Sequence, residues 1–418
     1  MLWITWIDTV WKLQPAFSRQ KSFLWFVISL LGFSICMDQL GITSIIRSLG
    51  MGGKSYECLR QFFRSPSVDL GKLTLLWGQA IDFILKDHFC LFNGKKVYLI
   101  DGIKAAKEGR RMAGLKWLFQ DSQNSSKPSY IFGHSCQALH VLVNAGKSHI
   151  AVPLIMRIHE GLNDRRGPLV MRILDLVLSL TIKDSYIVGD AYYWAGELSQ
   201  ELRSMGNHLI SRVKLTAVAY LPAVNSGGVG RPRKYGEKKK LKHFFKGKGF
   251  IDAIIDLYGK DETIQYKERI LLCKNHRASI KYVFVKIGGN RCIFASTDLS
   301  LSALEIIKLY SLRFKIEFSF KEFVHDFGGF CYRFWSKNIE RTRKRDVVKR
   351  CEIIENAYHL HLQLAVIAQG LANILSIKHS EEIWNMHSAW MRTIRPGLIP
   401  SAAVVRLALR EGLRNLGN

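Results

Sequence analysis

Two aspartates stand where apolar, β-rich runs of the sequence end. Asp101 closes the run KVYLID, and Asp190 closes the run SYIVGD. A carboxylate at the end of a strand faces an open site while the strand holds it in place. Two such acids on adjacent strands, joined by a third, make an all-oxygen site suited to Mg²⁺. Either acid alone is more simply a turn residue or a helix cap, but their shared setting favours the metal site.

Glu317 is the predicted third acid. It lies in LYSLRFKIEFSFKEF, residues 309–323, which has the apolar spacing of a helix. At about 100° per residue, a helix places Glu317 on one stripe with Tyr310, Arg313 and Lys321. The predicted core-facing side chains are Leu312, Ile316, Phe320 and Phe323, and the predicted solvated ones are Ser311, Lys315, Glu322 and Asp326. Glu317 is therefore the local acid that shares a face with basic and aromatic groups.

A second interpretation of Glu317 needs no active site. Arg313 and Glu317 are four residues apart, a spacing at which opposite charges form weak pairs on a helix surface. On this segment alone the two interpretations are equal. The presence of Asp101 and Asp190 elsewhere in the chain favours the catalytic one.

The segments that carry these acids predict a mixed α/β domain with one sheet. Residues 91–215 alternate apolar strand-like runs with helical ones, and form the first part of a catalytic domain. The second part, residues 301–375, begins with a long helix predicted from 302 to about 327. A further helix is predicted from about 352 to 376. The acids would then come from two strands and one helix of a single domain.

Three other regions flank or interrupt this domain. Residues 1–90 have helical apolar spacing, and are either a DNA-binding domain or a helical lid on the next domain. Residues 216–300 are basic at first and then β-like, which predicts an inserted β-rich subdomain. Residues 376–418 are predicted to be a helical tail.

The composition describes a strongly basic chain that can still bury a core. Of 418 residues, 61 are Lys or Arg and 34 are Asp or Glu, for a formal net charge of +27, while 48% are hydrophobic. This hydrophobic content excludes a disordered protein. Nucleic acid is the usual partner of such a positive excess. A basic protein that is merely soluble and a protein that binds anionic lipid are the alternatives.

The sequence predicts a cytoplasmic protein that does not span a membrane. The uncharged run from Phe23 to Cys36 covers 14 residues, whereas a spanning helix needs about 20. A buried helix is the better interpretation of this run. The eight cysteines are scattered singly, which fits a reducing compartment.

The ordered series Asp101, Asp190 and Glu317 resembles the acids of the DDE transposases of bacterial insertion sequences. YLIDGI and VGDAYY are similar to the strands that carry that family's first and second acids. The long β-rich stretch before Glu317 is similar to the insertion found in one branch, the IS-four-like transposases. The resemblance covers about residues 95–375.

The IS-four-like branch is distinguished by a Tyr-x2-Arg-x3-Glu-x6-Lys signature around its third acid. Tyr310, Arg313 and Glu317 match that spacing. Position 324 is Val where the signature has Lys. Lys321, one helical turn earlier on the same stripe, is the predicted substitute.

The resemblance implies an RNase H-like catalytic domain that cuts and joins DNA. The three acids would hold two divalent ions, normally Mg²⁺ with Mn²⁺ as a substitute. The Tyr, Arg and Lys of the signature would contact DNA phosphate beside the cleaved end, where an Arg fork can form two hydrogen bonds. The implied partner is double-stranded DNA, both the terminal inverted repeats of the element and the target. A homodimer on paired ends in a bacterial, nucleoid-associated setting is also implied.

Two basic segments are further predicted DNA contacts. The stretch GRPRKYG, residues 230–236, supplies Arg231, Arg233 and Lys234. Its Gly-Arg-Pro core is similar to basic hooks that enter a narrow A·T minor groove, and a solvated hairpin tip is an equal alternative. The second cluster, within residues 341–350, is either a phosphate contact or a charged linker.

These features together predict the transposase of an insertion sequence, which cuts DNA at the ends of its element and joins them to target DNA. Two alternatives stay open. One is a non-catalytic, sequence-specific DNA-binding protein in which the acids are structural. The other is a nuclease or resolvase with the same fold.

Overall fold

The structure, a computed structural model, describes residues 1–38, 41–109, 112–120, 128–160, 168–223, 233–257, 259–334, 344–387 and 397–415. The chain divides into two compact units. Unit 1 contains Met1–Phe89, Gly102–Gly167 and Glu317–Asn418, and unit 2 contains Cys90–Asp101 and Pro168–Ile316.

The described helices are α1 (Leu2–Trp11), α2 (Gln20–Ile35), α3 (Ile42–Ser48), α4 (Lys54–Phe62), α5 (Leu70–Ile84), α6 (Arg172–Ser179), α7 (Gly196–Ser204), α8 (Ala303–Leu312), α9 (Lys315–His325), α10 (Lys344–Lys378), α11 (Ser380–Met386) and α12 (Ala402–Asn415). The described strands are β1 (Leu91–Phe92), β2 (Lys95–Ala106), β3 (Lys116–Phe119), β4 (Tyr130–Ala145), β5 (Ser148–Ile158), β6 (Tyr186–Gly189), β7 (His208–Val213), β8 (Val218–Pro222), β9 (Tyr235–Lys240), β10 (Ile251–Leu257), β11 (Lys260–Cys273), β12 (Ala278–Ile287) and β13 (Asn290–Ser296).

Unit 1 is built around the long helix α10. This helix packs against β5 and against the helices α2, α5 and α12. A Cβ atom at Gly370 of α10 would lie 2.2 Å from Cζ2 of Trp77, so glycine is required for α5 to approach this closely. The Trp77 indole also donates a hydrogen bond to the carbonyl oxygen of Pro153 in β5. The predicted N-terminal helices, α1 to α5, are confirmed and belong to this unit.

Two apolar helices of unit 1 are core helices. The part of α10 from Glu352 to Lys378 is long and apolar enough to cross a membrane by length and composition, but 94% of its most apolar window is buried. In α2, Phe26, Leu30 and Phe33 are fully buried, as predicted for the uncharged run near the N-terminus. Burial within unit 1 therefore accounts for both apolar stretches.

Unit 2 contains a large mixed sheet. Its strands follow the order β2-β6-β7-β13-β12-β11-β8-β9, with β10 paired to β11. Strands β2, β6 and β7 are parallel to one another, whereas β13, β12 and β11 are joined by antiparallel pairing. Helices α7 and α8 pack against the sheet. The strands of the predicted insertion thus continue this sheet, because β13 pairs with β7.

Strand β2 contributes to both units. Its first part pairs with β6 in unit 2, and its last part lies beside β4, where the Lys107 N–H donates to the Phe132 carbonyl oxygen just past the strand's end. In unit 1, β4 pairs antiparallel with β3 and β5. The mixed sheet with flanking helices confirms the predicted α/β class.

The single helix predicted from 302 to about 327 is wrong. The structure has two helices, α8 and α9, separated at Arg313 and Phe314. The N–H groups of Arg313, Phe314 and Ile316 each bond to the carbonyl oxygen three residues earlier, which tightens the chain into a 3₁₀-type turn. A uniform 100° per residue therefore does not hold from Tyr310 to Lys321.

The predicted core face of this segment is confirmed, and the predicted solvated face is wrong. Leu312, Ile316, Phe320 and Phe323 are all buried. Ser311 is also buried, and Lys315, Glu322 and Asp326 are half-buried rather than solvated. Glu322 is covered because it packs against Gln369 of α10 within unit 1.

Candidate active site

Asp101 and Asp190 have equivalent positions in the register of the neighbouring parallel strands β2 and β6. The register of β2 and β6 pairs Leu99 with Val188, and each aspartate follows two residues later. Side chains in register on adjacent strands project from the same face of a sheet. The two carboxylates therefore share one face and one edge of the sheet in unit 2.

The sequence builds this edge by burying the strands completely. Val97 to Ile100 are at most 6% exposed, and Tyr186 to Val188 are 0% exposed. Such continuous apolar runs are typical of parallel strands covered on both faces. The two aspartates follow directly after these buried stretches. Asp190 comes just past the end of β6, but the prediction that Asp101 ends its strand is wrong, because β2 continues to Ala106 with alternating burial.

Gly189 allows β6 to end close to its neighbours. A Cβ atom there would lie 2.9 Å from Cγ1 of Ile100 and 3.0 Å from Cδ2 of Tyr193. Directly after it, Asp190 caps a short 3₁₀ helix, Ala191–Tyr193, and its Oδ1 atom accepts a hydrogen bond of 3.0 Å from the N–H of Tyr192. One carboxylate oxygen thus performs the capping role considered for this residue, and the cap fixes the direction of the side chain.

Arg313 forms an ion pair with Asp101. The Arg313 Nη1 atom lies 2.6 Å from the Asp101 Oδ2 atom, and the two side chains are 16% and 17% exposed. A charge-assisted hydrogen bond of this length in a half-buried setting is stronger than a pair on the open surface. The turn between α8 and α9 therefore places a cation on the first acid.

Tyr310 packs beside this pair. Its ring centroid lies 4.7 Å from that of Phe294 in β13, and the guanidinium of Arg313 lies 5.8 Å from its centroid. Burial raises the pKa of Tyr310, although the nearby cations Arg313 and Arg212 act in the opposite direction. The hydroxyl is therefore protonated at neutral pH and can donate a hydrogen bond.

Arg212 extends the row of polar side chains across the sheet. Gly189 pairs with Ser211 in the parallel register of β6 and β7, so Arg212 is the next residue along from Asp190. Arg212 pairs in turn with Phe294 of β13. Four neighbouring strands thus each contribute one residue to the same face of the sheet: Asp101, Asp190, Arg212 and Phe294.

Sequence reasoning missed Arg212. The signal was available, because Arg212 ends the apolar run HLIS just as the aspartates end theirs. A cation in this setting is subject to the same argument as an acid: the strand holds it rigid while it faces the open edge.

The remaining predicted site residues lie elsewhere in the described chain. Glu317, in the first turn of α9, and Lys321 are exposed and belong to unit 1. Arg233 and Lys234 are exposed and directly precede β9 in unit 2. Arg231 lies outside the described residues.

The side chains of the second basic cluster, within residues 341–350, also lie outside the described part of the chain. Unit 2 therefore brings together Asp101, Asp190, Tyr310 and Arg313. The convergence of Glu317 on the two aspartates stays a prediction.

The donor set in unit 2 fits a hard divalent cation. Mg²⁺ is usually bound through one or two carboxylates, with waters and substrate phosphates completing its coordination. Asp101 and Asp190 supply two such carboxylates on one edge of the sheet. Among the described residues, no group of three or more His, Cys, Asp or Glu side chains is close enough together to hold a metal ion.

Comparison with known proteins identifies the family. A family model described as DDE superfamily endonuclease matches residues 12–246, which is more than half of the 418 residues and includes both aspartates. None of the curated proteins matches the chain. A solved cryo-EM structure of the piggyBac transposase synaptic complex with hairpin DNA aligns with a TM-score of 0.37 and 10% sequence identity, over 96% of this chain and 73% of that one. On the family match, the chain belongs to the DDE superfamily endonucleases.

Proposed function

We propose that the protein is a transposase of an insertion sequence, which cuts DNA at the ends of its element and joins those ends to target DNA. The observation that carries the proposal is the position of Asp101 and Asp190, at one level on adjacent parallel strands, in a chain of the DDE endonuclease family. Two carboxylates in this arrangement suit phosphodiester chemistry better than a structural role. A structural cap needs only one of them.

The proposed catalytic acids are Asp101, Asp190 and Glu317. They would hold two divalent ions, normally Mg²⁺ with Mn²⁺ as a substitute, which supply Lewis-acid stabilisation of the phosphate and a nucleophilic oxygen at neutral pH. Glu317 lies four residues after Arg313 in the sequence and is exposed at the start of α9.

Arg313 and Tyr310 are proposed to position the DNA phosphate. The guanidinium presents several N–H donors in a fixed fork, and one of them is already directed at Asp101. The Tyr310 hydroxyl, kept protonated by burial, donates to a phosphate oxygen. Both groups then offset phosphate charge beside the acids, which is the role of the IS-four-like signature, with Lys321 as its final cation.

DNA is the proposed partner, as terminal inverted repeats and as target. The formal net charge of +27 favours a polyanionic partner. Arg233 and Lys234 are exposed and available for backbone contact. We further propose that two copies act together on paired ends, in the bacterial cytoplasm at the nucleoid.

A cutting assay tests this function. Purified protein is mixed with Mg²⁺ or Mn²⁺ and with DNA that carries the sequences flanking its coding region, and the products are mapped for 3′-hydroxyl ends. Asp101→Asn, Asp190→Asn and Glu317→Gln are each expected to abolish cutting while DNA binding persists. Asp261→Asn, at an exposed position on β11, is the matched control.

The outcomes separate the alternatives. Tight binding by the wild type without cutting under either metal favours a non-catalytic DNA-binding protein. Cutting that does not depend on element ends, without joining to target DNA, favours a nuclease or resolvase. Normal cutting by the Asp190→Asn variant contradicts the site assignment itself.

A further inference from the structure

A basic cleft lies directly beside the second acid. It has a volume of about 410 Å³ and is lined by the end of β7, the turn that follows it and the start of β13, with Ala191, the residue after Asp190, at one side. Three cations line it: Arg212, Lys214 and Arg291. None of its lining residues is acidic, and the three cations stand on walls that are otherwise mainly apolar.

The cations of the cleft are held on paired strands. Arg212 and Phe294 are in register, and Val213 pairs with Ile293. Val213 and Ile293 are buried beneath the cleft, whereas Arg212, Lys214 and Arg291 are exposed. Arg212 and Lys214 therefore project from the face opposite to these two apolar side chains. Arg291 is on the face of Ile293, where its guanidinium lies 5.8 Å from the ring centroid of Phe245.

We infer that this cleft binds the sugar-phosphate backbone of the DNA strand that reaches Asp190, an inference that rests on the proposed function. Adjacent strands lie about 4.8 Å apart, so Arg212 is one strand away from Asp190 on the same face. A DNA strand whose reacting phosphate lies at the acids passes its neighbouring phosphates over β7 and β13. Arg212 and Lys214 meet them there.

Electrostatics within unit 2 supports the direction of this path. Arg212 acts on the Tyr310 ring together with Arg313 and lowers the pKa of that hydroxyl, against the larger effect of burial. Arg212 is also in register with Phe294, whose ring packs against Tyr310, so Arg212 lies on the face of the sheet that carries Tyr310. The proposed phosphate contacts then run continuously from Arg313, past Asp190, into the cleft.

Salt-dependent DNA binding is the first test. Binding of a short fluorescent DNA duplex is measured without divalent metal across a potassium chloride series. Removing two phosphate contacts with the double variant Arg212→Ala/Lys214→Ala is expected to reduce the slope of log affinity against log salt by about 2. The matched control is Lys260→Ala/Arg269→Ala, which removes two exposed cations of β11 that do not line the cleft. Equal slopes for the two double variants overturn the inference.

Cys292 provides a direct test of occupancy. It is a free, half-buried thiol that lines the cleft. Its rate of modification by a maleimide, followed by peptide mass spectrometry, is expected to fall several-fold when the duplex is bound. Cys58, a half-buried free thiol in unit 1, is the internal reference. Unchanged labelling of Cys292 at saturating DNA overturns the inference even if affinity falls in the variants.

A third experiment tests whether the cleft recognises a DNA backbone or any small phosphate anion. Inorganic phosphate is added in place of DNA. Protection of Cys292 by the duplex alone supports a DNA backbone site, whereas equal protection by inorganic phosphate shows a small-anion site and overturns the inference.

The binding tests are independent of cutting, because no divalent metal is present. If the wild type cuts element ends but the cleft variants bind DNA normally, the cleft inference fails and the proposed function stands. If DNA protects Cys292 but no cutting is found with Mg²⁺ or Mn²⁺, the proposed function fails and the cleft stands as a DNA site. Unfolding curves of the double variants that match the wild type confirm that the substitutions leave the fold intact.

Discussion

Arg313 and Asp101 lie 212 residues apart in the chain, and Nη1 of the arginine is 2.6 Å from Oδ2 of the aspartate. This pair joins the turn that ends α8 to the edge of the sheet at β2. Both side chains are mostly shielded from water, so the pair fixes the carboxylate more firmly than a surface salt bridge does. The position of the Asp101 carboxylate therefore depends on the turn between α8 and α9.

Arg313→Ala is expected to impair both stability and cutting. The substitution leaves a half-buried carboxylate without its charged donor, which costs about 1–3 kcal/mol of unfolding free energy. Cutting is expected to fall at least tenfold, because Asp101 loses its orientation and the phosphate loses a donor. Urea unfolding and the end-cutting assay measure the two effects separately.

Arg313→Lys distinguishes charge from shape. Lysine keeps the charge but lacks the planar fork, so stability is expected to recover more than cutting does. Arg269→Ala, at an exposed position on β11, controls for the loss of one cation. Full cutting activity of Arg313→Lys would show that the planar guanidinium of Arg313 is not needed for cutting.

Gly189→Ala tests the close approach at the end of β6. The added methyl group would lie 2.9 Å from Ile100 and 3.0 Å from Tyr193, and such overpacking costs about 1–3 kcal/mol. Because Asp190 is the next residue, cutting is expected to fall along with the melting temperature. Gly52→Ala is the control, since a Cβ there meets nothing within 4 Å. A Gly189→Ala variant as stable as wild type would show that the two neighbours yield freely.

The sequence alone was sufficient to predict buried strands before Asp101 and Asp190. Asp190 directly follows β6, as predicted, whereas Asp101 lies inside β2, which continues to Ala106. Short, continuous apolar runs such as VYLI and YIV are typical of buried strands, and a polar residue after the run marks where the buried stretch ends. The matching positions of the two aspartates along adjacent strands could not be predicted in the same way. They depend on which strands pair and in what register, and pairing of β2 with β6 brings together residues nearly 90 positions apart. Local patterns contain no information about such long-range pairing.

The break between α8 and α9 could not be predicted from the sequence either. Apolar residues continue at helical spacing through Leu312, Ile316 and Phe320, and all three are buried. Neither proline nor glycine marks Arg313 or Phe314. A tight turn that keeps the same residues buried leaves the apolar pattern unchanged, so periodicity predicts one helix where the structure has two.

Tyr310→Phe is expected to weaken DNA binding and cutting a few-fold while leaving stability close to wild type. The phenyl ring keeps the contact with Phe294, whose centroid is 4.7 Å away, and only the hydroxyl donor to phosphate is lost. Tyr310→Ala also removes the ring and is expected to cost about 3–5 kcal/mol of unfolding free energy. Comparison of the two variants by thermal unfolding and by cutting separates packing from phosphate contact. Wild-type cutting by Tyr310→Phe would contradict a role for the hydroxyl.

Glu322 is the origin of a predicted pH dependence of stability in unit 1. It lies on α9, where its Oε2 atom is 3.4 Å from Nε2 of Gln369 on α10. Burial raises the pKa of Glu322 from 4.5 to about 7, and the neighbouring carboxylate of Asp326 acts in the same direction. Between these two values the folded chain keeps a proton that the unfolded chain has released. Unfolding free energy therefore falls as pH rises from about 4.5 to 7, by up to about 3 kcal/mol.

Glu322→Gln is expected to remove this dependence, because the amide occupies nearly the same volume and never ionises. The variant should match the wild type near pH 5 and melt a few degrees higher at pH 8, where the wild type must hold a buried charge. Thermal unfolding across this pH range measures the difference. Glu381→Gln, at an exposed position on α11 of the same unit, controls for the loss of one carboxylate. Parallel pH profiles for Glu322→Gln and wild type would mean that water reaches Glu322 in the folded protein and ionises it without penalty.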